Sequence, residues 1–421
     1  MLLLKKAQIL SQAGGLKPCD ILIKDGKVAE MGQIPATAEH QVVELDGKLV
    51  APGFIDVHVH LREPGMEKKE TIESGTAAAA RGGYTTIAAM PNTNPVPDSV
   101  ENMAHVEKLI AEKAKVRVLP YASITVNEAG KEIIDMESVA NTSMFAFTDD
   151  GKGIQEAGMM YLAMERAAKL GKPVVAHCED DSLLFDGYLH AGDYAKANGH
   201  RGILSASESV HIARDIMLAQ ATGVHYHVCH ISTKESVALV RLGKQLGINV
   251  TAEVSPHHLI LADTDIEGDD TNFKMNPPLR SPEDVQACID GLLDGTIDMI
   301  ATDHAPHTAE EKGRDMYEAP FGIVGLETAF PLMYTHFVKT GLLTLKDLLE
   351  AMSTKPAEVF SLPYGKLEKG AIADLVVIDL EKTDKIDADT FLSKGKNTPF
   401  NGWDVTGWPV MTIFEGEIVH Q

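Results

Sequence analysis

Residues 53–65 read GFIDVHVHLREPG. Up to Arg62 the run is apolar except for Asp56, His58, His60 and Arg62, which occupy alternate positions, and it ends in Glu63, Pro64 and Gly65. Side chains alternate across a strand, so these four share one face. An isolated strand histidine is ordinarily a hydrogen-bonded core or rim residue. Two imidazoles converging on one face are a ligand pair for zinc and similar metals. Which of the two holds depends on what the rest of the chain brings to the same place.

The texture of this run recurs. Short apolar stretches lie at 54–61, 85–92, 116–123, 144–150, 173–179, 225–232, 249–258 and 298–304. Helix signals separate most of them. Ser99 caps the helical spacing of 99–113, and Gly223 ends that of 208–223. Ser281 and Pro282 open 281–295, with acids in the first turn. Alternating strands and helices predict a parallel sheet, and eight such units predict a (β/α)8 TIM barrel.

Polar residues gather at the C-terminal ends of these stretches: His58, His60 and Arg62, then Asn92, Asp149 and Asp150, His177, His230, His257 and His258, and Asp303 with His304. In a barrel those ends share one face, where active sites are built. Buried carboxylates need charge compensation, so several ligand-type residues at one rim predict a metal. His58, His60, His177, His230, Asp303 and one aspartate of the 149–150 pair make six candidates, more than the usual ligand set of a single catalytic zinc. They suit a two-metal site that activates water against a carbonyl. Alternation alone does not choose between Asp149 and Asp150.

The chain ends read differently. ILIKDGKVAEMG (21–32) signals a hairpin at Asp25-Gly26, and 373–380 and 410–421 return to strand-like composition. With 421 residues the chain exceeds one simple core. The expected organisation is a small β-sandwich-like domain from 1–51 plus 363–421, and a catalytic barrel over 52–362. A net charge of −23 argues against nucleic acid or an anionic membrane as partner. Cys19, Cys178, Cys229 and Cys288 form no CxxC pair, and MLLLKK has no signal-peptide core. A cytoplasmic protein acting on a small molecule is expected. Cys178 and Cys229 should face away from the neighbouring histidines. The stretch 305–322 is either a mobile lid or a plain surface loop.

GFIDVHVHLREPG, with KKETIESGTAAAARGGYTTIAAMPNTNP after it, resembles the amidohydrolase superfamily and, within it, the longer bacterial-type (class I) dihydroorotase family. FTDDG (147–151), AHCED (176–180), HISTKES (230–236), SPHHL (255–259), KMNPPLR (274–280), TDHAPH (302–307) and GAIADLVVIDL (370–380) carry the same resemblance. It implies two zinc ions per subunit, or other divalent metals accepted by similar ligands. His58, His60 and Asp303 would hold one, His177 and His230 the other. Asp150 would bridge them where many relatives use a carboxylated lysine, and Lys152 is not expected in that role. Arg62 would clamp the carboxylate of dihydroorotate, with His60, Asn92, Asn276, His307, Phe321 and Gly322 as further substrate contacts. Asp303 would act as general base, then acid, around a hydroxide nucleophile. The implied reaction is reversible hydrolysis of (S)-dihydroorotate to N-carbamoyl-L-aspartate, a step of pyrimidine biosynthesis. A homodimer and an aspartate transcarbamoylase partner are also implied. The rival expectations are hydantoinase, dihydropyrimidinase or allantoinase activity, whose substrates lack the ring carboxylate, and a non-catalytic scaffold for a transcarbamoylase.

Overall fold

Phe54–Val59 is buried at every position, as a strand covered on both faces must be. In the computed structural model, which describes residues 1–11 and 13–421, it is the first of eight parallel runs. It pairs with Tyr84–Ala89, which pairs with Arg117–Pro120. Val174–Ala176, Tyr226–Val228, Val250–Val254 and Met299–Ile300 form a second parallel set in that order. Bridges from Phe147 to Ala122 and to Val174 join the two sets on one side. A bridge from Val59 to His304 joins them on the other, and the ring is closed. This is the predicted TIM barrel.

Two runs depart from expectation. The fourth, 144–150, makes single bridges and no continuous ladder. Its neighbours place Pro120 and Pro173 opposite it, and proline has no N–H for a ladder. The carbonyls of both accept from this run instead, from Phe145 N at 2.7 Å and Phe147 N at 3.1 Å. In the seventh, the strand ends at Val254. His257 and His258 lie in the short helix Pro256–Ile260, opened by a proline in its first turn.

The helices follow their sequence signals. Val100–Lys113 is capped by the Ser99 side chain. Ser205–Thr222 ends at left-handed Gly223. Pro282–Leu293 opens with a Ser281–Asp284 capping box. Packed around the barrel, they enclose one large core that includes Phe54, Tyr84, Phe147, Tyr226 and Phe330.

Both chain ends build an eight-stranded sheet. Leu49–Pro52, the last strand before the barrel, pairs antiparallel with Leu375–Lys385. Asp25 and Gly26 both take positive φ between Leu16–Lys24 and Lys27–Gly32, the turn that matches strand twist. A separate core of Leu4, Ile21, Ile23, Leu375, Val377 and Ile413 holds this sheet. Residues 386–401 leave it and return to the barrel mouth, where Phe391 and Phe400 pack with Met275, Leu279 and Ile323.

The first barrel helix, Ile72–Arg81, stops at Gly82 because the chain passes hard against another backbone. A Cβ on Gly82 would fall 2.0 Å from the Leu326 carbonyl oxygen. Gly82→Ala is therefore expected to lower stability by about 1–3 kcal/mol, read as a shift of the urea unfolding midpoint of the intact protein.

Candidate metal centre and substrate pocket

The strand tips place six side chains together. His58 Nε2 lies 3.4 Å from Asp150 Oδ1 and 3.3 Å from Asp303 Oδ1. His60 Nε2 lies 3.1 Å from Asp303 Oδ1 and 3.4 Å from Asp150 Oδ2. His230 Nε2 is 3.9 Å from the same Asp150 oxygen that His58 approaches, and His177 Nδ1 is 3.0 Å from His230 Nε2. All six are buried. Ligand atoms of His58, His230 and Asp303 lie close together, as do those of Asp150, His177 and His230, so His230 belongs to both sets. The backbone is bent to bring this about: Arg62, His230 and Asp303 take φ of 62°, 28° and 50°. Non-glycine residues adopt such angles at a cost, typically at functional sites.

The neighbouring aspartate does something else. Asp149 turns away and accepts from Ile124 N, Thr125 N and the Thr125 hydroxyl. Lys152 is exposed. One expectation fails here. Cys178 does face away, its Sγ 3.1 Å from the Tyr226 hydroxyl, but Cys229 Sγ groups with His58 and Asp150. The strand ends at Val228, and the left-handed turn at His230 breaks the alternation that would have separated the two side chains.

The charge pattern fits a cation. Burial opposes ionisation, yet His58, His60 and His177 hold the Asp150 carboxyl well below its ordinary range. Asp303 is lowered against burial by His58, His60 and His230. Burial also works on His58, and Asp150, Glu253 and Asp303 overcome it and raise that imidazole. His58 Nε2 and Asp150 Oδ1 are buried and have no hydrogen-bond partner, although they lie close together. Lone pairs that converge without pairing, in a set of imidazoles and carboxylates, are what a divalent metal requires. The acceptors that orient the rings are present too. Glu253 Oε1 lies 2.6 Å from His58 Nδ1, and its other oxygen 3.0 Å from His227 Nε2. Burial raises the Glu253 carboxyl, but these two rings bring it down to about 2. Glu179 lies 3.3 Å from His177 Nε2, and Asn92 Oδ1 3.0 Å from His60 Nδ1.

A cavity of about 280 Å³ opens above the cluster. Arg62, Asn92, Asn276, His307, Phe321 and Gly322 all line it. Arg62 is buried and belongs to no ion pair among the described residues, while Glu63 is taken by Lys113. Burial lowers the Arg62 guanidinium to about 10, so it stays charged at neutral pH. It is aimed by Pro306 O, 3.3 Å from Nε, and its Nη2 lies 3.3 Å from His307 Nε2. Burial, with Arg62 and Lys69 nearby, pushes His307 down to about 2. The neutral ring accepts from Lys69 Nζ at 3.2 Å and donates to Phe321 O at 2.8 Å. Asn276 Nδ2 donates to Glu179 at 3.0 Å. The stretch 305–322 is tied to residue 274 and across itself by two lysines. Lys312 Nζ donates to Lys274, Pro320 and Gly322 carbonyls, and Lys274 Nζ to those of Met316 and Tyr317.

Known proteins share both the sequence and the fold. A family described as "Dihydro-orotase-like" matches residues 47–236. Dihydroorotase of Bacillus subtilis is 61% identical over 419 residues, spanning 100% of this chain and 98% of its own. That of Bacillus licheniformis is 60% identical over the same shares. The chain belongs to the dihydroorotase family. Among solved structures, L-hydantoinase (dihydropyrimidinase) from Arthrobacter aurescens superposes with a TM-score of 0.88 at 28% identity, covering 100% of this chain and 96% of that one. D-Hydantoinase (dihydropyrimidinase) from Thermus sp. gives 0.86 at 28%, covering 99% and 95%. The dihydroorotase-family chain thus carries an amidohydrolase fold with a buried His/Asp cluster of metal-binding character. No helix among the described residues is long and apolar enough to cross a membrane.

Glu253 and Glu179 were not among the sequence-derived site residues. Glu253 had a signal: a carboxylate inside a buried strand needs a partner. Glu253→Gln is expected to weaken divalent-metal retention about 10–100-fold, measured by competition against a chromophoric chelator.

Proposed function

We propose that this chain catalyses the reversible hydrolysis of (S)-dihydroorotate to N-carbamoyl-L-aspartate, running as cyclisation in pyrimidine synthesis. The observation that carries the reading is Arg62: a buried, charged guanidinium without a carboxylate partner, facing a cavity that has the His/Asp cluster at its base. The family's named relatives are dihydroorotases over the full chain.

On this reading two zinc ions would be held, one by His58, His60 and Asp303 and one by His177 and His230, with Asp150 between them. Such a pair would supply an activated water at neutral pH and polarise the carbonyl under attack. The chain's own residues do the rest. Arg62 binds the ring carboxylate through its planar fork. His307, Asn276, Asn92 and the Phe321–Gly322 backbone enclose the ring's polar edge, and His60 adjoins it. Asp303 is a carboxylate at working pH, its acidity held by the histidines around it. It takes the proton from the attacking water and delivers it to the ring nitrogen as the carbon–nitrogen bond breaks. Hydrolysis creates a new carboxylate and releases a proton, so alkaline conditions favour ring opening and acidic conditions favour cyclisation.

Residues 52–362 are the proposed catalytic unit, with 1–51 and 363–421 the smaller β-domain. A cytoplasmic homodimer is the proposed state, and a transcarbamoylase the protein partner to look for. The structural likeness to hydantoinases favours cyclic amides generally, and a substrate panel separates the two readings. Dihydroorotate should be turned over far faster than hydantoin, dihydrouracil or allantoin.

Exhaustive chelation should abolish turnover, and added zinc should restore it, followed by elemental analysis and assay of the same sample. Asp303→Asn should lower kcat by about 10²–10⁴-fold. Arg62→Gln should raise KM for dihydroorotate by about a hundredfold without raising KM for dihydrouracil, by steady-state kinetics on both substrates.

A further inference from the structure

The pocket wall that carries His307, Phe321 and Gly322 is fastened by a residue from far along the chain. Asn397 lies in the segment that leaves the terminal sheet, and it is 4% exposed. Its carboxamide makes three hydrogen bonds. Nδ2 donates to Ala305 O at 3.1 Å and to Gly322 O at 3.0 Å. Oδ1 accepts from His307 N at 3.0 Å. One side chain therefore ties together both arms of the wall, 305–307 and 322. Its own carbonyl accepts from Val324 N at 3.0 Å.

The segment beneath Asn397 is anchored independently. Leu392 N and Ser393 N donate to Glu327, and Lys394 N donates to Glu70. At Gly395 the segment passes so near Pro306 that a Cβ would lie 2.5 Å from the proline Cβ. Gly322 is crowded too: a Cβ there would lie 2.5 Å from Ala305 O and 2.7 Å from the His307 ring. A wall this close to its support takes its position from it.

That position matters at Arg62. The guanidinium Nε donates to Pro306 O, and Nη2 abuts His307. Both belong to the arm that Asn397 holds. A shift of 305–307 would move the acceptor that aims the fork, and small misplacements of binding groups are costly. We propose that Asn397 is a positioning residue for the carboxylate end of the pocket: it sets the 305–307 arm, which in turn aims Arg62. This rests on the dihydroorotase reading for the identity of the carboxylated ligand. Asn397 touches no reacting atom, so its loss should be felt in substrate capture, with the metal cluster and chemistry largely intact.

The test is steady-state kinetics of Asn397→Ala and Asn397→Asp in the zinc-loaded full chain. Aspartate keeps the size and the acceptor for His307 N, but sets a carboxylate oxygen against two carbonyls. Both variants should raise KM for dihydroorotate about tenfold, with kcat within about threefold of the parent and zinc content unchanged. In an Arg62→Gln background the same substitutions should move KM by less than about twofold, because coupled groups are not additive. An unchanged KM, or the same tenfold loss in both backgrounds, would overturn the proposal. A second arm needs no variant: by hydrogen exchange in the unsubstituted holoenzyme, the His307 amide should be protected to the level of the barrel strands. Exchange as fast as an exposed loop would also overturn it. A parent inactive on dihydroorotate fails the functional reading and the proposal's ligand with it, whereas an active parent whose variants keep its KM fails the proposal alone.

Discussion

The structure is organised around an electrostatic demand. Asp150 and Asp303 are buried among four histidines at one end of a barrel, where water cannot screen them. Carboxylates in such a place must be compensated. Imidazoles do part of this, and the unpaired lone pairs of His58 and Asp150 mark where they stop. Everything nearby serves that cluster. Glu253 fixes one ring, Asn92 a second and Glu179 a third. Three backbone positions accept left-handed angles to keep the groups converging.

Much of this was legible before any coordinates. A strand has a period of two, so the HxH spacing announced a shared face. Eight runs with chemistry at their C-terminal ends announced the barrel and which end to watch. Legibility failed where regular geometry failed. The fourth run is irregular between two prolines, so alternation could not separate Asp149 from Asp150. The turn at His230 put Cys229 on the side where parity had not placed it. The apolar run 249–258 extends a strand through His257 and His258, although Ser255-Pro256 is a helix-opening signal.

The support of the pocket was the least visible part. Asn397 binds partners 75 and 92 residues earlier in the chain, and nothing in KGKNTPFN announces them. Lys312 is similar: in sequence it belongs to a charged loop, yet its ammonium is buried among three carbonyls. Long-range hydrogen bonds to backbone leave no periodic trace, because the acceptor carries no side-chain identity. The residues that line the cavity can be read from motifs, while those that hold them in place must be read from the fold.

The closure of the barrel has a consequence for biogenesis. Val59 bridges His304, and His60 meets Asp303 across 243 residues of chain. The cluster therefore straddles the seam between the first and last barrel strands. At ribosomal elongation rates of about 5–20 residues per second, that interval takes about 10–50 s. Throughout it His58 and His60 lack Asp303, although Asp150 is made well before the interval ends. The cluster is thus completed only when the last barrel strand closes on the first.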